Sequence, residues 1–123
     1  MDEIRTAAAG IADREQLAVC LCAAWCDTCD AYRVVFEAAA AQFRDARFVW
    51  LDIEDQEDLL GTIDVENFPT VLIAVGDQVR FFGTITPQPE TLTRLLRASF
   101  SADAAVVAAD EAVHALLRRL RGG

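Results

Sequence analysis

The sequence is poor in positive charge and in long apolar runs. Its 123 residues include 11 arginines and no lysine against 20 aspartates and glutamates, which gives a net charge of -9. Nucleic acids and anionic membranes bind basic surfaces, so this balance argues against both as partners. The sequence has no run of about 18 apolar residues and does not begin with a basic segment followed by an apolar one. We therefore expect a cytoplasmic protein without membrane association.

Cysteine is confined to one short stretch. All four cysteines fall in the segment LAVCLCAAWCDTCD, which runs from Leu17 to Asp30. Cytoplasmic reductants keep thiols reduced, so a CxxC pair in such a protein is more typical of catalysis than of a structural disulfide. We therefore place the candidate functional site in this segment.

The cysteine-containing segment has the pattern of a buried strand followed by a helix. The unbroken apolar run from Leu17 to Ala23 favours a short strand that is covered on both faces. From Asp27 onward apolar residues recur every three or four positions, which predicts a helix of about four turns. Its predicted buried positions are Cys29, Tyr32, Phe36, Ala39 or Ala40, and Phe43. Cys26 then lies at the start of the helix, and Cys29 lies one turn inside it.

This placement predicts reactive thiols at the start of the helix. The thiolate is the form that attacks a disulfide, and the unpaired backbone N–H groups of a helix start favour negative charge. We therefore expect Cys26 to be the activated sulfur. The spacing of three residues puts Cys29 on the same side of the helix, close enough to form a disulfide with Cys26. Such a pair can alternate between dithiol and disulfide.

Two motifs of the sequence resemble those of the thioredoxin family. Trp25-Cys26-Asp27-Thr28-Cys29 resembles its Trp-Cys-x-x-Cys active site, and Asn67-Phe68-Pro69-Thr70 resembles its cis-proline loop. The order of predicted elements from Leu17 to about Phe100 also agrees with that family. The resemblance implies an α/β thioredoxin fold in which a mixed four-stranded sheet is flanked by helices and the Pro69 loop lies against the two cysteines.

The same resemblance implies a protein-disulfide oxidoreductase that serves cell redox homeostasis. In this scheme Cys26 attacks a substrate disulfide, and Cys29 then releases the reduced substrate. Trp25, Phe68 and Pro69 would shape the substrate groove. The implied partners are protein disulfides and a thioredoxin reductase as the external reductant, and no cofactor is implied.

The remaining patterns predict a single domain. They predict a helix from Asp2 to about Asp13 with no strand before it, a strand at Arg47–Ile53 parallel to the first, a helix at roughly Gln56–Ile63, a hairpin of Thr70–Val75 and Gln78–Phe82, and a helix from Pro87 or Pro89 to Phe100. The acidic residues around Glu54 are typical of a solvated helix N-terminus, and the alternative is an acidic rim that selects basic partners.

A further segment lies beyond the part of the chain that resembles the family. Residues Ser101 to Arg121 have the pattern of an amphipathic helix, with one apolar face formed by Val106, Ala109, Val113, Leu116 and Leu120. Two interpretations are open. The helix packs on its own domain, or its apolar face docks a second copy or another partner.

The chain departs from the family pattern at two positions that affect proton transfer. In thioredoxins a buried aspartate precedes the first active cysteine by six residues, and Cys20 occupies that position here; the lysine on the next strand is replaced by Trp50. The group that usually accepts a proton from the second cysteine is therefore missing. This favours an alternative function, a thioredoxin-fold binding or assembly module with little catalytic turnover.

The two cysteines of the strand leave further alternatives open. Cys20 and Cys22 share one side of the strand, where free cysteines are usually small buried apolar groups. The alternative is that Cys20 is an accessory thiol that exchanges with a Cys26–Cys29 disulfide.

Metal binding is the rival explanation of the cysteine cluster. Four cysteines could hold zinc, and the spacing of Cys22, Cys26 and Cys29 matches an iron–sulfur motif. Two of the four cysteines, however, lie within an apolar strand, and the iron–sulfur chemistry belongs to a larger barrel. We therefore expect no metal.

Overall fold

In a computed structural model, the chain folds around one mixed five-stranded β-sheet. The structure describes residues 2–5, 15–23, 26–54, 60–61, 63, 65, 67–101, 104–109 and 111–120. The strands are β1 (Asp2–Arg5), β2 (Gln16–Cys22), β3 (Ala46–Asp52), β4 (Thr70–Val75) and β5 (Gln78–Thr84), and the helices are α1 (Asp27–Gln42), α2 (Pro89–Phe100) and α3 (Glu111–Leu120). The sheet order is β1-β3-β2-β4-β5. β2 and β3 are parallel, and β4 is antiparallel to both β2 and β5.

The central strand β2 is covered on both faces, as the apolar run predicts. Its residues alternate between two apolar clusters. Ala18, Cys20 and Cys22 face the helices α1 and α2. Leu17, Val19 and Leu21 face the opposite side, where α3 packs. The site segment is therefore anchored in a strand whose residues from Leu17 to Cys22 are all buried.

The predicted hairpin is confirmed, and so are the helix predicted from Asp27 and the helix predicted to end at Phe100. Val75 pairs with Gln78, so Gly76 and Asp77 form a two-residue turn. Gly76 has a φ of 61°, a conformation that glycine adopts without the steric cost of a side chain. α1 begins at Asp27, and α2 begins at Pro89 and buries Leu92 and Leu96.

The predicted helix from Asp2 to Asp13 is wrong in its first turn. Asp2–Arg5 forms the edge strand β1, which pairs antiparallel with β3 and adds a fifth strand to the four that were predicted. The reason is the free edge of β3, whose backbone N–H and C=O groups take hydrogen-bonding partners from any extended segment that reaches them. The rest of the predicted helix lies outside the described residues, as does most of the helix predicted at Gln56–Ile63.

The predicted C-terminal helix is wrong in its first half. It begins at Glu111 rather than Ser101. The guanidinium of Arg80 donates hydrogen bonds to the carbonyl oxygens of Ser99 and Ser101, both at 3.0 Å, and so satisfies acceptors at the end of α2. Residues 104–109 are then not helical, and the Val107 N–H donates to the Val79 carbonyl oxygen at 2.8 Å. Val106, a predicted member of the apolar face, is 55% exposed.

The second half of that segment packs on its own sheet. Val113, Leu116, Leu117 and Leu120 of α3 are buried in the cluster that contains Leu17 and Leu72. The apolar face that was considered as a docking surface is thus occupied within the chain. Among the described residues, no helix is both long and apolar enough to cross a membrane.

Candidate active site

The four sulfurs lie where β2 runs into α1. Cys20 and Cys22 are on the face of β2 that α1 covers, and Cys29 is on the face of α1 that meets the sheet. Cys26 is the N-cap residue of α1, with an extended backbone, and its carbonyl accepts the N–H of Cys29 at 3.1 Å. The strand and the first helical turn therefore gather all four cysteines around one apolar cluster.

The disulfide of the structure joins Cys22 and Cys29, whereas the sequence predicted a bond between Cys26 and Cys29. The alternation of β2 points Cys22 toward α1, and the Cα atoms of Cys22 and Cys29 are 5.8 Å apart, which lies within the range that a disulfide spans. Both residues are almost fully buried, with 1% and 2% of their surface exposed. The cysteine that reaches Cys29 from β2 is thus Cys22, not Cys20.

Cys26 remains a free thiol in this arrangement. It is half-buried and packs against the cluster that contains Cys22 and Cys29. α1 starts directly after it, at Asp27, and the Cys26 side chain makes no capping hydrogen bond to the helix. The structure therefore combines an accessible thiol with a sheltered disulfide.

Of the three residues predicted to shape the substrate groove, the structure describes Pro69 and Phe68. The peptide bond between Phe68 and Pro69 is cis, the isomer that the resemblance implies. Leu21 pairs with Thr70, and continuing this register by one residue brings Pro69 beside Cys22. Phe68 is half-buried against the cluster of the cysteines. Trp25 lies outside the described residues.

The loop before β4 is held by its own hydrogen bonds. The Thr70 hydroxyl donates to the Asn67 carbonyl oxygen at 2.6 Å and lies 3.3 Å from the Thr84 hydroxyl. The Ile85 N–H donates to the Pro69 carbonyl oxygen at 3.1 Å. These bonds hold the loop that leads into β4, and Pro69 lies one residue before the Thr70 that pairs with Leu21 of β2.

Cys20 of β2 pairs with Trp50 of β3. The resemblance implies that these two positions are neighbours, because they hold the buried aspartate and the lysine in thioredoxins. Cys20 and Trp50 are both buried. Burial raises the pKa of the Cys20 thiol, and the positive charge of Arg33 partly opposes that rise. The guanidinium of Arg33 lies over the Trp50 ring, 5.2 Å from its centroid. Cys20 therefore stays a protonated thiol, with its sulfur 4.0 Å from that of Cys22.

Tyr32 carries a polar group that is buried without a partner. Its hydroxyl makes no hydrogen bond to the described residues, and the side chain is 1% exposed. Burial, and to a lesser extent the nearby Cys20, raises the pKa of this hydroxyl. A buried, unsatisfied hydroxyl costs about 1 to 3 kcal/mol.

Tyr32→Phe should therefore stabilise the protein. The change removes the unpaired oxygen and keeps the ring, so we expect the free energy of unfolding to rise by about 1 kcal/mol. Urea denaturation followed by tryptophan fluorescence measures it. A loss of stability would mean that the hydroxyl has a partner in solution.

The cysteines do not form a four-thiolate site in the structure. Two of the sulfurs that such a site would need are joined to each other. Among the described residues, no group of three or more histidine, cysteine, aspartate or glutamate side chains is arranged to hold a metal ion.

A sequence model of the thioredoxin family, described as Thioredoxin, matches residues 7–97, which is most of the chain. The chain belongs to the thioredoxin family. It is 31% identical over 84 residues to Thioredoxin H2-1 of Oryza sativa subsp. japonica, a match that covers 67% of this chain and 61% of that protein. It is 33% identical over 51 residues to the thioredoxin of Mycoplasma genitalium, which covers 42% of this chain and 50% of that protein.

Solved structures of thioredoxins share the fold. Thioredoxin F from spinach chloroplast, in its short form, has a TM-score of 0.63 at 22% identity and covers 73% of this chain and 80% of its own. The oxidised form of mitochondrial thioredoxin 3 from Saccharomyces cerevisiae has a TM-score of 0.61 at 22% identity. This match covers 71% of the present chain and 81% of the yeast chain. These structures confirm the thioredoxin fold that the resemblance implied. In the sequence comparisons, the aligned regions span only about half to three-fifths of the length of the curated relatives.

Proposed function

We propose that this thioredoxin-family protein is a thiol–disulfide oxidoreductase that reduces or exchanges disulfides of other proteins. The observation that carries the proposal is a free, half-buried thiol, Cys26, at the start of α1, one turn from a cysteine that is already engaged in a disulfide. Family membership and a disulfide that involves Cys29 both support redox chemistry at this point of the fold.

The reaction begins from the reduced protein. The Cys26 thiolate attacks one sulfur of a substrate disulfide, forms a mixed disulfide and releases the other substrate sulfur as a thiolate. The Cys29 thiolate then attacks the Cys26 sulfur, forms the Cys26–Cys29 bond and releases the substrate as a dithiol. The substrate gains two electrons and the protein loses two, which an external dithiol such as a thioredoxin reductase returns.

A backbone N–H stabilises negative charge on Cys29 for the second step, while the proton that Cys29 loses passes to water because the usual carboxylate is missing. The Ala23 N–H donates to the Cys29 sulfur at 3.4 Å, and a hydrogen bond to sulfur favours its charged form. A thiolate at Cys29 therefore has a fixed donor even though Cys20 occupies the position of the usual acid–base group.

Phe68 and Pro69 give the proposed substrate an apolar edge beside the sulfurs, and Trp25 is proposed to extend it. The cytoplasm is the proposed compartment, because thiols there are kept in the reduced state from which the reaction starts.

A second candidate is a binding or assembly module with little turnover. The observation that favours it is the pairing of Cys20 with Trp50, which leaves no buried carboxylate at that position to receive the proton of Cys29. In this alternative the groove would hold a partner without releasing it through disulfide exchange.

Insulin reduction separates the two candidates. The oxidoreductase should accelerate the precipitation of insulin chains by dithiothreitol, and the module should not. Precipitation no faster than with dithiothreitol alone, together with stable partners in a pull-down, would contradict the oxidoreductase and support the module.

A further inference from the structure

Cys29 is within reach of two other cysteines. On the strand side it is bonded to Cys22. On the helix side Cys26 precedes it by three residues, and side chains at this spacing are neighbours, with Cβ atoms about 5–6 Å apart. Small adjustments bring such a pair to the Cβ separation of a disulfide, about 4 Å. The same sulfur can thus be reached from two directions.

The two directions differ in access. Cys22 and Cys29 are 1% and 2% exposed, so the bond between them is closed to a visiting protein. Cys26 is partly exposed and packs against the cluster that holds both. Exchange requires that the attacking sulfur reach the disulfide. Of the two free thiols, Cys20 is buried and Cys26 is partly exposed, so Cys26 is the one that can carry exchange between solvent and the buried bond.

We propose that Cys22 is a third redox-active cysteine and that Cys29 exchanges its disulfide between Cys26 and Cys22. The oxidised protein then has two forms, an exposed form with a Cys26–Cys29 bond and a sheltered form with a Cys22–Cys29 bond. The inference rests on the proposed function, because the exposed form is the product of substrate reduction.

The exchange is balanced in atoms and electrons. The Cys26 thiolate attacks the Cys29 sulfur, the Cys26–Cys29 bond forms and the Cys22–Cys29 bond breaks. Cys22 leaves as a thiolate and takes up one proton, equal to the one that Cys26 released on ionising. Each side of the reaction has one disulfide and one thiol, so no oxidant or reductant is consumed.

The sheltered form has two consequences for the protein. It keeps Cys26 free after oxidation, and it withholds the disulfide from external reductants until Cys26 opens it. Reduction of the buried bond therefore proceeds through Cys26. This residue then reacts both with the substrate disulfide and, in the oxidised protein, with the external reductant.

Disulfide mapping tests the pairing directly. Cleavage at arginine leaves all four cysteines in the segment from Glu15 to Arg33, so it does not separate them. Cleavage after Trp25 and Tyr32 places Cys20 and Cys22 on one fragment and Cys26 and Cys29 on the other, so the Cys20 and Cys22 variants are needed to identify the bonded cysteine of the first fragment. A Cys22–Cys29 bond links the two fragments, whereas a Cys26–Cys29 bond closes a loop within one.

The full chain is oxidised with diamide, quenched in acid at successive times, alkylated, cleaved and analysed by mass spectrometry. We expect the looped fragment first and the linked fragments later, with Cys26 alkylated in the linked form. In Cys22→Ser the looped fragment should persist. Cys20→Ser makes the same change two residues away on the same face and should still give linked fragments. A wild-type loop that never converts overturns the proposal.

The rate of reduction tests the route through Cys26 without relying on the Cys22 variant. In Cys26→Ser we expect tris(2-carboxyethyl)phosphine to reduce the Cys22–Cys29 bond at least about tenfold more slowly than in the wild type, because the bond is shielded. Equal rates would overturn the route.

The insulin assay distinguishes a failure of this inference from a failure of the proposed function. Insulin reduction by a wild-type chain that forms only the loop leaves the function standing and overturns the inference. A loop that converts to linked fragments in a chain that does not reduce insulin supports the three-cysteine exchange and contradicts the oxidoreductase.

Discussion

Replacing Cys26 with serine should remove all acceleration of insulin reduction by the protein and leave the rate of dithiothreitol alone. Cys26 is the free, partly exposed thiol at the start of α1, and a serine hydroxyl does not ionise or attack a disulfide near neutral pH. Cys29 is 2% exposed and does not reach a substrate in its place. The measurement is insulin precipitation at fixed reductant concentration.

Thr28→Ala is the matched control for this variant. Thr28 is exposed and lies in the same first turn of α1, so its replacement tests whether any change at the helix start is harmful. We expect it to keep most of the wild-type rate. Comparable losses in Thr28→Ala and Cys26→Ser would point to a damaged helix start rather than a missing nucleophile.

Truncation of Leu116 to alanine should destabilise the protein by about 3 kcal/mol. Leu116 is fully buried between α3 and the sheet, so its removal leaves a cavity beside Leu17 and Leu72. The free energy of unfolding from urea denaturation measures the effect. The loss should be independent of protein concentration, because the contacts of α3 lie within one chain.

Val106→Ala is the control for the C-terminal segment. This residue is 55% exposed, although the helical pattern of the sequence placed it on the same apolar face as Leu116. We expect a change within about 0.5 kcal/mol. Equal losses at the two positions, or an unfolding midpoint that shifts with protein concentration, would indicate that the apolar face is shared between chains.

Local patterns were sufficient to predict the centre of the fold. The apolar run at Leu17 predicted the central strand, the spacing after Asp27 predicted α1, and Gly76-Asp77 predicted the hairpin. Each of these signals is carried by residues close together in the chain, where the periodicity of strands and helices and the conformational freedom of glycine decide the structure.

Elements that depend on distant contacts were predicted less well. Asp2–Arg5 is a strand because β3, more than 40 residues away, offers it a free edge. The helix does not continue past Phe100, because the Arg80 guanidinium, about 20 residues earlier in the chain, donates hydrogen bonds to the carbonyl oxygens of Ser99 and Ser101. Neither partner is visible in the local pattern, so both segments were assigned to helices from their apolar spacing.

The disulfide of the structure lies in the segment that the sequence indicated, but Cys29 is bonded to Cys22 rather than to Cys26. The spacing of Cys26 and Cys29 is a local signal for a disulfide, while the contact of Cys22 with Cys29 depends on how the chain turns between β2 and α1. The signal that could have indicated Cys22 is the strand alternation, which puts it on the face that α1 covers. The alternation also puts Cys20 on that face, so it does not by itself distinguish the two cysteines as partners of Cys29.

The most direct test of the proposed reaction is to trap its first intermediate. In Cys29→Ser the mixed disulfide cannot be resolved by Cys29, so incubation with insulin should give a covalent complex. Cleavage after Trp25 and Tyr32 then locates the insulin chain by mass spectrometry, and the proposal predicts it on Cys26, in the fragment that ends at Tyr32. No complex, or an insulin chain on the fragment that contains Cys22, would contradict the account.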